Sequence, residues 1–482
     1  MQNRAKKVTS GLIWTYAERL TAQLITILVT IVLARIIAPD EYGIVSIVAV
    51  FINIANAFVI NGFGNSLIQK KDADEIDFST VFYFSIGFSL IIYILLFLGA
   101  PFIADFYAMP QLLWVIRVMA IRLPIAAVNS VQQAFISKRM EFKKFFFATL
   151  GGTVISAIVG IVMAYQGLGI WAVVAQYLTN VCIDTVVLSF TSGWKPKLVY
   201  STDRMRSLFS YGWKIMAVGV MTTLYSNLRN LIIGKKYSSA DLAFSEKGEQ
   251  FPAAIAGNIN SSITKVLFPV LSEAQNDIDQ LKRMVRRSIK VGAYILFPLM
   301  FGFFAVADTF VVTFLTEKWI GCVPFLRIMC AVYALQPLQT ASLQSVKALG
   351  KSGLYLWIDV IKKIIGLIIL FATLLIFEDV FYVVLGALII EIISVFIMFP
   401  FNKRLLSYGY MEQIYDIVPI IVLTGMMYIS IVLLNLIIPF SGIIKLIIDI
   451  FVGGTVYILV SVITKNENFQ YILNLVKGRL RK

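Results

Sequence analysis

The sequence has no histidine and few charged residues. Histidine is the commonest general base, metal ligand and proton relay near neutral pH, so its absence argues against zinc hydrolases and imidazole-dependent acyl-transfer enzymes. Only 14% of the 482 residues are charged, whereas 59% are hydrophobic. This composition excludes a soluble enzyme and is typical of an integral membrane protein.

Cysteine is also scarce. Cys182 lies inside one apolar run, and Cys322 and Cys330 flank the start of another, without a CxxC pair. This spacing predicts residues that pack in the interior and not a disulfide framework. With neither histidine nor a cysteine cluster, the sequence indicates no metal or other cofactor.

Long apolar runs follow one another along the whole chain. A helix needs about 20 apolar residues to cross a bilayer, and the runs predict an all-α integral membrane protein with about 14 transmembrane helices. The run from Gly11 to Leu33 is longer than the apolar region of a signal peptide, so the first helix is expected to be retained. The predicted spans are 10–34, 43–64, 78–100, 112–136, 145–165, 169–191, 208–234, 242–272, 288–314, 323–346, 354–377, 380–401, 414–438 and 443–464.

Lysine and arginine are concentrated on one side of these spans. Loops on the side opposite the termini carry only Arg35, Lys235, Lys236 and Lys318, although the chain has 42 basic residues. The positive-inside rule therefore predicts a multi-pass cytoplasmic (inner) membrane protein with both termini in the cytoplasm. The cations behind the net charge of +15 recur in small clusters beside apolar runs, which favours anionic lipid headgroups over nucleic acid as their partner.

The chain contains a weak internal repeat at an offset near 200 residues. Trp14 leads through an amphipathic span to Leu33–Gly43, and Trp213 leads through a similar span to Ile233–Ala243. Two six-helix lobes in parallel orientation are an architecture of transporters, with the substrate site at the lobe interface. We therefore predict lobes at 1–200 and 201–412, with spans 13 and 14 and a cytoplasmic tail at 413–482.

Four segments carry a resemblance to a known family. Leu33–Gly43, Tyr211–Trp213, Phe244–Pro252 and Leu267–Asp277 resemble the polysaccharide transporter family of the multidrug/oligosaccharidyl-lipid/polysaccharide exporter superfamily, above all its lipopolysaccharide and teichuronic acid biosynthesis members. The resemblance implies two pseudo-symmetric six-helix lobes around a central cavity that opens alternately to either face, plus two extra C-terminal helices. It also implies a flippase, not an enzyme.

The substrate that the resemblance implies is an undecaprenyl-pyrophosphate-linked oligosaccharide, destined for O-antigen, capsule, exopolysaccharide or teichuronic acid. Membrane lipids, a polysaccharide polymerase and glycosyltransferases are the implied partners. Moving such a head group across about 30 Å of hydrocarbon requires a wet cationic cavity, and charges within spans usually face such a cavity or a partner. The candidate substrate-binding residues are Arg19, Arg117, Arg122, Lys214, Arg229, Lys247 and Lys265, with the amides Asn53, Asn56 and Asn258.

Several of these cations have a structural alternative. Arg19 lies about 13 Å inside predicted span 1, too deep for easy snorkelling, and an ion pair with a carboxylate on another helix is the alternative. Lys214 and Arg229 lie near the ends of span 7, where snorkelling to the interface is the alternative. Arg117 and Arg122 are five residues apart and do not share a helix face, so at most one is expected to face the cavity.

Span 8 is the most unusual segment. Pro252 is expected to bend or break its helix. Asn258, Ser262 and Lys265 follow with helical spacing and form a polar stripe that suits a sugar pyrophosphate, with hydrogen bonding between helices as the alternative. The same alternative applies to the amides of span 2. The candidate coupling acids are Glu18, Asp184, Glu246 and Glu249.

Two further polar features lie in the second half. Asp359, Lys362 and Lys363 are spaced to satisfy one another on span 11, which predicts a structural anchor or gate. Glu391 is an isolated acid in an apolar run, so it is expected either to carry a proton or to pair with a base elsewhere. Coupling by protons, sodium or membrane potential stays open.

Two other function classes compete with the flippase. A membrane-embedded polysaccharide polymerase needs a catalytic aqueous loop, and the only DxD pattern in the larger polar segments is Asp277–Asp279, which is better placed to start a helix. A cation-coupled multidrug exporter of the same superfamily is the second alternative, but such exporters usually have twelve spans and carboxylate-centred cation sites. Fourteen spans and a cationic interior favour the flippase.

Overall fold

The computed structural model describes residues 2–437 and 441–480, and these residues form helices with no β-strand among them. The predicted all-α membrane fold is confirmed. The chain divides into two compact units, Met1–Ala243 and Phe244–Lys482. The side chains of Arg4, Lys6 and Lys7, and residues 481 and 482, which contribute to the charge bias at the termini, lie outside the described part.

The first unit is built from long helices joined by short connections. Its helices are α1 (Gln2–Ile36), α2 (Pro39–Ile60), α3 (Phe63–Gln69), α4 (Glu75–Tyr107), α5 (Leu112–Met119), α6 (Arg122–Arg139), α7 (Lys143–Tyr165), α8 (Ile170–Thr191) and α9 (Thr202–Lys236).

The second unit continues in the same manner. A π-helical turn (Val311–Leu315) and a 3₁₀ turn (Glu317–Cys322) connect two of its helices. Its helices are α10 (Ser239–Glu273, which begins in the first unit), α11 (Ile278–Ala305), α12 (Ala307–Phe310), α13 (Val323–Ala348), α14 (Ser352–Ile376), α15 (Val380–Leu406), α16 (Tyr410–Ile437), α17 (Gly442–Ile463) and α18 (Glu467–Leu480).

Among the described residues, 11 helical segments are long and apolar enough to cross a membrane. They correspond to predicted spans 1–6, 9, 10 and 12–14. Predicted spans 7, 8 and 11 are also helices of spanning length, namely α9, α10 and α14. They differ from the eleven because α9 and α10 are less apolar, whereas α14 is apolar but carries Asp359, Lys362 and Lys363 close together. The chain is therefore a multi-pass membrane protein, and the count of fourteen spans stays a prediction.

Helix α9 packs along α2, α3 and α4 of the first unit. Gly62, with φ +124°, separates α2 from α3, and a Cβ there would lie 2.5 Å from the carbonyl oxygen of Gly212. Only glycine permits both this conformation and this approach. The packing places α9 in the first compact unit, whereas the repeat groups it with the second lobe, and the lobe boundary at residue 200 stays a prediction.

Charged side chains join the start of α4 to the start of α9. Asp74 caps α4 by accepting hydrogen bonds from the backbone of Ile76 and Asp77 at 3.1 and 3.0 Å. Arg204 lies 2.5 Å from the Asp74 carboxylate and 3.4 Å from the buried carboxylate of Asp77. The hydrogen bond from Arg204 lowers the pKa of Asp74 to about 2, so this contact keeps its charge at any physiological pH.

Helix α11 begins where the sequence indicated. Asp277 is its N-cap and accepts a hydrogen bond from the backbone N–H of Gln280 at 2.8 Å. The predicted helix start at Asp277–Asp279 is confirmed. The helix is longer than predicted span 9 at this end, because the basic stretch before residue 288 continues the same helix.

The last helices of the chain are attached to α11. Arg286 donates two hydrogen bonds to Asp416 of α16, at 2.7 and 2.8 Å. Lys290 lies 3.0 Å from Glu467 of α18. Within the second unit, α16 and α18, which follow the predicted repeat, are therefore attached to α11, which belongs to it.

Candidate functional site

The predicted cavity cations differ in burial. Because a charge inside hydrocarbon is costly, an exposed one must meet water or headgroups and a buried one must meet protein groups. The exposed cations are Arg19, Lys214 and Lys265, the half-buried ones are Arg117, Arg122 and Arg229, and the buried one is Lys247.

A polar cluster occupies the interior of the first unit, where α1, α6, α7 and α8 contribute one side chain each. Thr149 donates a hydrogen bond to Glu18 at 3.1 Å. Asp184 interacts electrostatically with both Glu18 and Arg122. Gly152 makes room for the acid, since a Cβ there would lie 2.1 Å from Asp184 Oδ1. The structure thus brings together two predicted coupling acids and one predicted cavity cation.

This cluster has unused hydrogen-bonding capacity. Asp184 Oδ1 and Arg122 Nε are buried and have no hydrogen-bond partner in the described part of the chain. The Arg122 guanidinium lies 5.9 Å from the ring centre of Tyr177. Asp184 interacts with Glu18 and Arg122, and Glu18 interacts in turn with Arg19, so the unpartnered Oδ1 of Asp184 is the acceptor that suits a proton or a small cation.

Arg117 lies outside this cluster. Its Nε donates to the carbonyl oxygen of Phe97 on α4 at 3.3 Å, and its guanidinium lies 4.3 Å from the Phe97 ring centre. Arg117 and Arg122 therefore contact different helices, as expected from their spacing.

The other candidates of the first unit lie on three helices. Asn53 of α2 is exposed, whereas Asn56 is half-buried and its Oδ1 has no partner among the described residues. Lys214 and Arg229 lie on α9. Arg19 lies on α1, five residues after Trp14, and its depth in the membrane stays a prediction.

In the second unit, α10 stays one continuous helix through Pro252, so the predicted break does not occur. Buried Lys247 donates to Gln250 at 3.2 Å and lies 5.9 Å from the ring centre of Trp319. Glu249 accepts a hydrogen bond from Tyr333 of α13 at 3.0 Å. Other candidates on α10 are half-buried Glu246 and Asn258 and exposed Lys265.

A row of polar side chains on α13 was missed by the sequence reasoning. Tyr333, Gln336, Gln339 and Ser342 are spaced three residues apart and each bonds to another helix of the second unit. The signal was present as a period-three polar pattern within an otherwise apolar helix. Its partners are Glu249 and Asn260 on α10 and Glu391 and Asn402 on α15.

Gln339 joins two ionisable residues. Its Nε2 donates to Glu391 at 2.6 Å, and its Oε1 accepts from Lys362 of α14. Lys363 pairs with Asp359 at 2.8 Å. The predicted self-contained cluster is therefore correct for Lys363 but wrong for Lys362, which turns inward because Gln339 and Glu391 offer buried acceptors.

We expect Lys362→Met to be much more harmful than Lys363→Met. Removal of Lys362 leaves the Glu391 carboxylate buried without its cation, which costs about 3 kcal/mol of unfolding free energy. Lys363 and Asp359 are 34% and 40% exposed, and such a pair contributes less than about 1 kcal/mol. Melting temperatures in detergent measure both effects. The double variant Lys362→Met/Glu391→Gln should recover most of the loss, and equal melting temperatures for the two single variants would contradict this assignment.

Comparison with known proteins identifies the family. A model of the polysaccharide biosynthesis protein family matches residues 32–324. The chain belongs to this family. The resemblance inferred from four short segments is thereby confirmed.

Two curated relatives show how far the similarity extends. The teichuronic acid biosynthesis protein TuaB of Bacillus subtilis is 24% identical over 367 residues, covering 74% of this chain and 75% of that protein. The lipopolysaccharide biosynthesis protein WzxC of Escherichia coli is 22% identical over 333 residues, covering 69% and 68%. By name, one relative takes part in teichuronic acid biosynthesis and the other in lipopolysaccharide biosynthesis.

A solved structure shares the fold. The inward closed conformation of the lipid II flippase MurJ superposes with a TM-score of 0.74 at 14% sequence identity, covering 95% of this chain and 99% of that chain. This similarity establishes the architecture of the chain.

Proposed function

We propose that the protein is a flippase that moves undecaprenyl-pyrophosphate-linked oligosaccharides across the cytoplasmic membrane by alternating access. The family and the named relatives support this reaction, which serves the synthesis of a surface polysaccharide. Both termini then lie in the cytoplasm, and two lobes, 1–200 and 201–412, enclose the path. A polysaccharide polymerase and glycosyltransferases are the partners that would use and supply the substrate.

The observation that carries the proposal is the polarity of α9, α10 and α14. All three helices are long enough to span a membrane. Charged residues occur along α9 and α10, and α14 carries a cluster of three, Asp359, Lys362 and Lys363. Such helices are stable in a bilayer only where their polar side chains meet protein or water, so they suit the walls of a hydrated path. The isoprenoid tail of the substrate can stay in lipid, and only the charged head group needs this path.

Glu18 and Asp184 are the residues we propose for coupling in the first unit. The two acids interact with each other, Asp184 also with Arg122 and Glu18 also with Arg19, so the charge of the cluster is sensitive to binding of a proton or cation. Glu246 and Glu249 on α10 are the corresponding candidates in the second unit. Glu249 already accepts a hydrogen bond from the Tyr333 hydroxyl. Binding of a proton or cation at Glu249 would therefore compete with this hydrogen bond.

Deletion of the gene tests the function directly. We expect surface polysaccharide to be lost and undecaprenyl-linked repeat units to accumulate on the cytoplasmic leaflet, because synthesis continues while transfer stops. Mass spectrometry of extracted lipids measures this accumulation. A deletion strain with normal polysaccharide and no accumulated intermediate, but with raised sensitivity to toxic cations, would instead support a drug exporter.

A further inference from the structure

The helix that corresponds to the third predicted span of each lobe contains a proline near its end. Helix α4 carries Pro101 and α11 carries Pro298, each within two turns of the end of its helix. Their separation is close to the offset of about 200 residues that relates the two repeats. The two prolines therefore fall at corresponding places of the predicted repeat.

Each proline removes the donor for one backbone carbonyl. Proline has no N–H, so the carbonyl four residues earlier loses its helical hydrogen bond, and the proline ring crowds that carbonyl. The affected groups are the carbonyl of Phe97 in α4 and that of Tyr294 in α11. Both lie inside helices, where a carbonyl without a partner is costly in an apolar environment.

Both carbonyls receive a side-chain donor instead. Arg117 Nε donates to the Phe97 oxygen at 3.3 Å. The Tyr457 hydroxyl donates to the Tyr294 oxygen at 2.9 Å, and the two tyrosine rings are 5.1 Å apart. The Tyr294 hydroxyl in turn donates to Ser461 at 2.8 Å, which fixes α17 against α11.

The two donors differ in chemistry and in origin. Arg117 lies on α5, the next helix of the first unit, whereas Tyr457 lies on α17, which is outside the predicted repeat. Duplication of one ancestral contact does not explain such a pair. The difference is explained if each carbonyl freed by a proline requires a side-chain hydrogen-bond donor, whichever residue type supplies it.

The segment of α4 beyond Pro101 is attached to α9. Lys235 donates to the carbonyl of Phe106, and the Tyr107 hydroxyl donates to the carbonyl of Leu231 at 3.2 Å. The opposite end of α4 is held to α9 by Arg204. The segments of α4 on the two sides of Pro101 are therefore attached to opposite ends of α9, and a change of angle at Pro101 would be transmitted to α9.

We propose that Pro101 and Pro298 are equivalent hinges, and that Arg117 and Tyr457 are latches that hold each bend. A side-chain hydrogen bond can break and re-form as the angle changes, whereas an intact helical ladder resists bending. The hinge role rests on the proposed transport function. The latch role does not, so the two are tested by separate measurements.

A double-mutant cycle tests the latches through protein stability. Tyr457→Phe should lower the melting temperature by about 2–4 °C, because it leaves a buried carbonyl without a donor. In a Pro298→Ala background the restored N–H takes that carbonyl, so Tyr457→Phe should then have little effect. Arg117→Met should behave likewise with and without Pro101→Ala. Tyr415→Phe is the control, since Tyr415 is 71% exposed on α16. Equal losses with and without the proline would overturn the latch assignment.

Transport by proline variants tests the hinges. Pro101→Ala and Pro298→Ala should keep or raise the melting temperature but lose most of the transfer of lipid-linked oligosaccharide in proteoliposomes. Pro419→Ala, within α16 outside the repeat, is the matched control and should transport normally. Wild-type transport rates in both alanine variants would overturn the hinges, whereas a wild-type protein that transfers no such lipid would contradict the proposed function instead.

Discussion

Replacing Arg19 or Lys265 by alanine should reduce transfer of the lipid-linked oligosaccharide by about tenfold to hundredfold, the loss expected for a charge-assisted hydrogen bond to pyrophosphate. Both side chains are exposed, so their truncation removes little packing and the amount of protein in the membrane should stay near normal. The lipid-linked repeat should accumulate on the cytoplasmic leaflet. Immunoblotting of membranes and mass spectrometry of extracted lipids measure the two quantities together.

Two further variants sharpen this expectation. Arg19→Lys should restore part of the transfer if a point charge suffices, and no restoration would indicate bidentate recognition by the guanidinium. Lys351→Ala is the matched control, because Lys351 is exposed between α13 and α14. Normal export by both alanine variants at wild-type protein levels would remove these two residues from the substrate path and leave the flippase proposal standing.

Asp416→Ala should destabilise the second unit by about 3 kcal/mol. The Asp416 side chain is 6% exposed and accepts hydrogen bonds from Arg286 and from the Tyr408 hydroxyl at 2.6 Å. Alanine at this position removes the carboxylate that pairs with the Arg286 guanidinium. The expected cost lies at the lower end of the range for broken buried pairs, because Arg286 itself is 33% exposed. Thermal unfolding in detergent measures it.

A neighbouring ion pair provides the control for this variant. Glu412 is 40% exposed and lies 2.8 Å from Lys282, on the same two helices as Asp416 and Arg286. Glu412→Ala should cost less than Asp416→Ala, because Glu412 is exposed, although Glu412 also accepts a hydrogen bond from the backbone N–H of Gly409 at 2.9 Å and lies 3.6 Å from Arg286. If Glu412→Ala were as damaging as Asp416→Ala, burial would not be the source of the effect.

The sequence was informative wherever a local pattern decides the outcome. Asp277 starts a helix because its side chain satisfies a free backbone N–H, and this requires no knowledge of the rest of the chain. The apolar runs specify helices for the same reason, since the hydrocarbon core allows few other structures. Local rules leave open whether an internal proline ends a helix or only bends it, and the helix continues through Pro252.

Contacts between helices that are distant in the sequence could not be predicted from local sequence patterns. The base that faces Glu391 is Lys362, reached through Gln339, and these residues come from three different helices. Likewise, the packing of α9 on α2 depends on a glycine at residue 62 and another at residue 212, which only the fold brings together. Sequence reasoning identified several of the charged participants but not their pairing.

The attachment of the final helices to α11 has a consequence for the evolution of the family. Arg286, Lys290 and Tyr294 each bond to a residue that follows the repeat, so a shorter relative that ends after twelve spans would present three polar groups to lipid at this surface. We therefore expect that the helices after the predicted repeat and these three side chains were gained together. We expect the residue types at these three positions to distinguish members of the superfamily that have the additional C-terminal helices from members that end after twelve spans.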